Sequence, residues 1–382
     1  MKVSLCSAFD KPKDGISDYS GYLSAGLKKY VDLIYVGLDS YIADSDYYAG
    51  KAKEANNADI CHVQFNYLYF NGSMLYNNRF FTFAKYLKVP LVMTIHEIGI
   101  EAKPLPLHIT SRIKRELFNR TLFFWNRLSL NNHKRMYNLS DRVLAHTRQQ
   151  ADLIIGLIGH KDKVAVMPHG IPYVSDGDKC LPSDEAKSKF GINGKFVLTI
   201  FGFINNRKDY GTALDSLREL PDNVVLLIAG GRMTDKYDNL GYYDNLFKKI
   251  SASQLGDRVK ITGYLGLEDI PLVMAATDIC LAPFKSVNGS GALSLYIGYN
   301  KPIIASDIDS NQEINSRINC LELFRHEDYK DLLDKINRLM TDAGRIAKLI
   351  AGVKEYTNEF SYDKVAARTV ELYNEVISKR RV

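Results

Sequence analysis

Short, near-continuous apolar runs alternate with longer stretches of helical spacing along the whole chain, and this rhythm constrains the fold more than any other feature. The runs are KVSLCSAF (2–9), VDLIYVGL (31–38), DICHVQF (59–65), PLVMTIHE (90–97), RVLAHT (142–147), KVAVMPHG (163–170), KFVLTIFGF (195–203), NVVLLIAGG (223–231), RVKITGY (258–264), DICLAPF (278–284) and KPIIASD (301–307). Between them lie helical patterns such as 17–30, 207–219, 241–254 and 328–342. Strands apolar on both faces and joined by helices belong to parallel sheets covered on both sides. At 382 residues the chain is long for a single core, so two doubly wound α/β domains are expected. The first is placed at 1–172 and the second at 190–360. A linker rich in Pro, Gly and Ser is expected at 171–195, and the final helix, 362–382, is expected to pack back on the first domain.

The net charge of +6 is mild. It permits anionic ligands or an anionic membrane, and no nucleic-acid motif accompanies it, so nucleic acid is not an expected partner. Cys6, Cys61, Cys180, Cys280 and Cys320 are scattered, without a C-x-x-C pair. That pattern fits a reducing compartment and no structural zinc. The opening MKVSLCSAF is strand-length, not a signal peptide, and no run reaches the length of a spanning helix. The expected location is the cytoplasm, with a peripheral position on the inner face of the membrane left open.

In open parallel sheets, ligands sit at the carboxyl ends of the strands. His62, His96, His146 and His169 lie at or near four such ends, with Gln64 beside His62, and the turn FDKPKDGISDYS follows the first strand. In that turn Gly15 precedes a helix for which Ser17 is a plausible cap, a geometry that can face an anion. In FGFINNRKDYG, Arg207 and Lys208 follow Gly202 at a strand end, where two cations suit a diphosphate, and Asn205 adds a neutral donor. A solvated basic pair at a helix start would read the same way. In NGSGALS, Asn288, Gly289, Ser290, Gly291 and Ser294 combine close backbone approach, hydroxyls and a helix start, which is what a phosphate cradle needs. No G-K-[ST] follows, so it is not a Walker A loop, and no histidine spacing points to a metal.

Taken in order, these segments resemble the retaining glycosyltransferases of family 4, of the GT-B fold, over nearly the whole chain. The resemblance implies two Rossmann-like domains with a cleft between them, the donor held mainly by the second and the acceptor by the first. KDGISDYSGYL resembles the N-terminal glycine loop. PLVMTIHE resembles the strand ending in the active-site histidine, which assigns His96 that role. RVLAHT and VAVMPHGIP resemble two further signatures. FGFINNRKDYG resembles the diphosphate grip, with Lys208 at the family lysine and Phe203 where the family has arginine, so Arg207 is the candidate substitute. ITGYL resembles the loop beside the base and points to Gly263 and Tyr264. Asp18, His62, Gln64, His146 and His169 are expected on the acceptor side.

The implied reaction moves a hexose-type sugar from a nucleoside-diphosphate sugar, such as a UDP- or GDP-sugar, to a glycan or lipid-linked acceptor. It retains anomeric configuration and needs no metal or other cofactor. The segment FKSVNGSGALSLYIGYNKPIIASD departs from the family pattern. Where the family carries two glutamates eight apart, this chain has Val287 and Leu295, or Asn288 and Tyr296 in the neighbouring register. That loss leaves open a non-catalytic sugar-nucleotide-binding or scaffold protein, and, less favourably, a sugar-nucleotide 2-epimerase.

Residues 103–138 add a second feature. Lys103, Arg112, Lys114, Arg115, Arg120, Arg127, Lys134 and Arg135 stand against Glu116 alone, interleaved with Leu117, Phe118, Phe123, Phe124 and the only tryptophan, Trp125. A basic helix carrying large apolar residues suits an anionic membrane surface. A domain helix packed inward under a solvated basic face is the alternative.

Overall fold

The computed structural model describes residues 1–9, 11, 14–72, 78–99, 112–179, 181–232, 241–286 and 289–380, with the side chains of 112–115 excluded. The chain divides into two compact units, Met1–Gly170 with Tyr362–Val382, and Ile171–Ser361.

The first unit holds a parallel sheet of β1 (Lys2–Ser7), β2 (Asp32–Gly37), β3 (Ile60–Phe65), β4 (Leu91–Ile95), β5 (Arg142–Ala145) and β6 (Val164–Val166), in the order β2-β1-β3-β4-β5-β6. The second holds β7 (Phe196–Phe201), β8 (Val224–Ala229), β9 (Val259–Ile261), β10 (Ile279–Ala282), β11 (Ile303–Ser306) and β12 (Glu322–Phe324), ordered β12-β11-β10-β7-β8-β9 and likewise parallel. Each chain path starts mid-sheet, runs to one edge and returns to the other side of its first strand. The strand order therefore reverses between β1 and β3, and between β7 and β10. A crevice opens at the carboxyl ends of such strand pairs.

Side chains alternate between the two faces of each strand. On the first sheet, Cys61, Val63, Phe65 and Met93 face one core, with Tyr48, Phe70 and Phe80. Val3, Ile60, Val92 and Leu144 face the other, with Tyr19, Leu23, Tyr362 and Tyr373 from two helices, Gly15–Leu27 and Tyr362–Arg380. These helices meet closely at Gly26, where an added Cβ would lie 2.8 Å from the Ala366 Cβ and 2.9 Å from the Tyr362 carbonyl oxygen. Any side chain there would push the last helix off the sheet.

Two local expectations need correction. Ser17 is not the cap of the first helix. It lies inside the Gly15–Leu27 helix, and the Asp14 carboxylate accepts from the Ile16 and Ser17 amides at 2.9 and 3.2 Å. A carboxylate at this position also complements the helix dipole, so it outcompetes the hydroxyl. Nor does the expected linker, 171–195, lie outside the units, since it falls within the second. It contains the helices Asp176–Lys179 and Ser183–Lys189. Lys187 pairs with Asp278 at 2.8 Å, and the same carboxylate accepts from the Val197 amide, which ties the segment to the second sheet.

Candidate functional site

In the second unit, Arg207, Lys208 and Asp209 follow one another at the β7/β10 reversal. Gly202 follows β7 with φ of +92°, a left-handed conformation that side-chain-bearing residues rarely adopt. The turn it allows lets the chain double back, so that Lys208 bridges Phe284 after β10. Two further bonds join the loops, Asp209 N–H to Pro283 O at 2.7 Å and Lys285 N–H to Arg207 O at 2.8 Å. Asp209 then caps the Tyr210–Glu219 helix through Thr212. Lys208 is 7% exposed, and its ammonium donates to the Phe201 carbonyl at 2.6 Å. Burial, helped by the nearby Arg207 cation, pushes the ammonium down to about 7. An anion beside it would restore its charge. Arg207 is exposed in the same loop, while the Asn205 side chain accepts from the Arg207 amide and so shapes the turn.

Beyond the bridge, Ser290 caps the Gly291–Gly298 helix by accepting from the Leu293 amide at 3.1 Å. Gly289 and Gly291 are exposed beside it, and Ser294 is buried one turn in. Asn288 and Val287 lie outside the described residues. Tyr296 is fully buried, and its hydroxyl accepts from the Phe201 amide at 2.6 Å. It supports the end of β7 and does not stand in for a glutamate at the surface. At the neighbouring strand ends Gly263 takes φ of +78°, and the half-exposed Tyr264 ring stacks on Phe203, centroids 6.1 Å apart. Phe203, which occupies the place of the family arginine, thus forms an aromatic face and contributes no charge.

In the first unit, period-two alternation places His62 and Gln64 of β3, Thr94 of β4, and His96, His146 and His169 just past β4, β5 and β6 on the sheet face under the two helices. A single hydrogen-bonded chain links most of them. Tyr373 Oη lies 2.5 Å from His62 Nδ1, and His62 Nε2 lies 2.7 Å from Thr94 Oγ1 and 3.1 Å from the Gln64 amide. Gln64 lies 3.0 Å from His96 Nε2, His96 Nδ1 lies 3.2 Å from His146 Nε2, and His146 Nδ1 lies 3.1 Å from the Met167 carbonyl. His169 Nδ1 lies 3.0 Å from the Gly170 carbonyl. The Tyr19 ring sits edge-on to His96, His146 and His169, with centroids 4.7, 5.4 and 5.0 Å away.

Burial holds these rings neutral. His62 and His146 are driven down to about 3 and His169 to about 4, and His96 falls well below its ordinary value, first by burial and then by the neighbouring histidines. Both His96 nitrogens have partners within the unit, so a sugar hydroxyl would reach one of them by displacing Gln64 or His146. His62 and Gln64 are fully buried. They can act on an acceptor only through the groups they hold. Asp18 is exposed, and its carboxyl is raised by partial burial and by Asp14. Gly15 opens the helix that Asp14 caps, and the other Asp14 oxygen accepts from Tyr69 at 2.7 Å across the β1/β3 reversal. Among the described residues, no three His, Cys, Asp or Glu converge as a metal site.

Sequence reasoning missed Tyr19, Thr94 and Tyr373. Thr94 was signalled by its two-residue spacing from His96. Tyr373 had no local signal, being 311 residues from His62.

Residues 37–173 match the family description "Glycosyltransferase Family 4", and residues 182–356 match "Glycosyl transferases group 1". Mannosylfructose-phosphate synthase of Agrobacterium fabrum is 25% identical over 303 residues, covering 71% of this chain and 64% of its own length. The 2-deoxystreptamine glucosyltransferase of Streptomyces kanamyceticus is 23% identical, covering 78% of this chain and 74% of its own. HepE from Anabaena, solved in complex with UDP and glucose, superposes with a TM-score of 0.71 at 16% identity, over 98% of this chain and all of that one. The two matched segments take in β3–β6 of the first sheet and all of the second, and the chain belongs to glycosyltransferase family 4, with the GT-B fold.

Proposed function

We propose that the protein transfers a hexose-type sugar from a nucleoside-diphosphate sugar to a glycan or lipid-linked acceptor, with retention of anomeric configuration and without a divalent metal. The observation that carries this reading is Lys208, a buried cation held at the β7/β10 reversal beside Arg207 and within the loops that lead to the Gly291–Gly298 helix. As the bond to the sugar breaks, negative charge builds on the departing diphosphate. Lys208, Arg207 and the backbone N–H groups of Gly289 and Gly291 are the groups suited to neutralise it, and fixed donors of this kind lower the barrier most where water is excluded. Gly263 and Tyr264, with the stacked Phe203, suit the nucleobase. His96 is assigned to the donor sugar. Retention and independence from metal are the parts of this reading that rest on the family resemblance alone. HepE binds UDP and UDP-glucose, which favours a UDP-sugar among the candidate donors.

The two helices Arg112–Arg120 and Leu122–Leu139 support peripheral contact with an anionic membrane. Leu117, Phe123 and Phe124 are 66%, 80% and 60% exposed, beside the basic residues Arg120 and Arg127. Hydrophobic rings left in water next to cations fit a lipid-linked acceptor presented at a membrane surface. Among the described residues, no helix is long and apolar enough to cross a membrane.

The test is thermal stabilisation by UDP, GDP, ADP and UDP-glucose, because a ligand that binds the native state raises its melting temperature by mass action. The reading expects one nucleoside diphosphate and its sugar conjugate to stabilise the protein, with slow release of the diphosphate when no acceptor is present. Stabilisation without any turnover would favour a non-catalytic binding protein. No shift with any nucleotide would overturn the donor site.

A further inference from the structure

The hydrogen-bonded chain through His96 has a direction that chemistry fixes at one end. A carbonyl oxygen only accepts, so His146 Nδ1, which faces Met167 O at 3.1 Å, carries a proton. A neutral His146 then has a bare Nε2, and the proton in its 3.2 Å contact with His96 must sit on His96 Nδ1. A neutral His96 is in turn bare at Nε2 and requires a donor there. Gln64 faces that atom, and its amide has one end that donates and one that accepts.

The two orientations of the amide therefore correspond to two charge states. With the nitrogen toward His96, every ring is neutral. The Gln64 oxygen accepts from His62 Nε2–H, and His62 Nδ1 accepts from the Tyr373 hydroxyl. The structure has the amide the other way round, with its oxygen 3.0 Å from His96 Nε2 and its nitrogen 3.1 Å from His62 Nε2, and in that orientation His96 Nε2 must carry a proton. Since His146 keeps its own on Nδ1, the His96–His146 pair then holds one proton more and is cationic. His62 switches tautomer at the same time and donates from Nδ1 to Tyr373 Oη.

We infer that Gln64 is the positioning residue for His96: its amide, whose two ends are nearly the same size, inverts so that the nitrogen faces the ring and keeps His96 neutral and protonated on Nδ1. This rests on the proposed placement of His96 at the donor sugar. A neutral ring matters there because the sugar gains positive charge as the diphosphate leaves, as in other glycosyl transfers, and an imidazolium beside it would oppose that charge. The surroundings favour the neutral state. His62 from β3, His146 from the end of β5, His169 from the end of β6 and Tyr19 from the Gly15–Leu27 helix all face the ring, and Tyr362 packs against Tyr19 and His169. None of these brings a carboxylate. Glu97, next in the chain, is exposed, and Asp18 lies on the outer side of the first helix.

The experiment is ring-nitrogen NMR on the 15N-labelled protein at pH 7, with Gln64→Glu, Gln64→Met and His96→Ala alongside. In the unsubstituted protein His96 is expected to be neutral and protonated on Nδ1, the less common imidazole tautomer. Gln64→Glu places an acceptor on both sides, so the His96–His146 pair should show imidazolium signals at pH 7. Its kcat for UDP-glucose hydrolysis should fall by roughly tenfold to a hundredfold and recover as pH rises, with KM little changed. Gln64→Met should leave His96 neutral and protonated on Nδ1 but shift its Nε2 resonance as the amide donor is lost, which keeps the inference testable if the glutamate variant fails to fold. A neutral His96 protonated on Nε2 in the unsubstituted protein would overturn the inference, as would an unchanged His96 in both Gln64 variants. Full turnover in His96→Ala would instead remove the sugar role of His96, leaving the NMR result to decide the role of Gln64.

Discussion

Lys208 reaches back over Gly202 to donate to the carbonyl of Phe201 at 2.6 Å, so the ammonium assigned to the diphosphate sits at the end of the strand that precedes it. Burial lowers it to about 7. A diphosphate favours the charged form, so binding should take up a proton near neutrality. As pH rises above about 7, the free protein loses this cation and affinity for UDP should weaken, approaching tenfold per unit until the bound-state value is reached. Titration calorimetry at pH 6.5 to 9, in buffers of different ionisation enthalpy, checks this. Affinity independent of pH, with no proton uptake, would show that Lys208 does not meet the phosphates.

The neutral histidines predict acid lability in the first unit. His62, His146 and His169 have folded values of about 3, 3 and 4, below the ordinary 6.5. In the window between, the unfolded chain binds protons that the folded chain refuses, so stability is intact above 6.5 and falls as pH drops. Each such ring should cost about 1 kcal/mol between pH 6.5 and 5.5. Urea unfolding at those two pH values should show a combined loss of about 3 kcal/mol, above the range where carboxylates titrate. Equal midpoints would mean that the rings are not held neutral.

Membrane contact is tested by co-sedimentation with vesicles. The protein should bind anionic vesicles at low salt and release them as salt screens Arg120 and Arg127. The double change Phe123→Ser and Phe124→Ser should weaken binding by tenfold or more, since burying one such ring contributes about 1.5–3 kcal/mol. Binding equal for neutral and anionic vesicles, or unaffected by the double change, would remove this surface.

All the strands but β12 were legible, because a buried parallel strand is apolar on both faces and stands out against amphipathic helices, as VVLLIA in β8 does, while β12 is three residues long and begins with Glu322. The carboxyl-end rule put His96, His146 and His169 just past strand ends, where they lie, whereas His62 and Gln64 lie within β3. What these residues do to one another was not legible. The bond from Tyr373 to His62 joins distant parts of the chain, and no local pattern marks it. The capping role of Asp14 was hidden by Ser17, three residues on, because both side chains can cap and only the backbone path decides. The burial of Tyr296 was also hidden, since a helix start of small residues does not reveal which way the next turn faces.

The most direct test of the central claim is turnover of UDP- and GDP-sugars by the protein and by Lys208→Met, which keeps the length of the side chain but removes its charge. The account predicts release of a nucleoside diphosphate by the unsubstituted protein and a loss of about a hundredfold or more in kcat for the variant, with its folding intact by circular dichroism. A folded Lys208→Met protein that turns over donor at the full rate would contradict it.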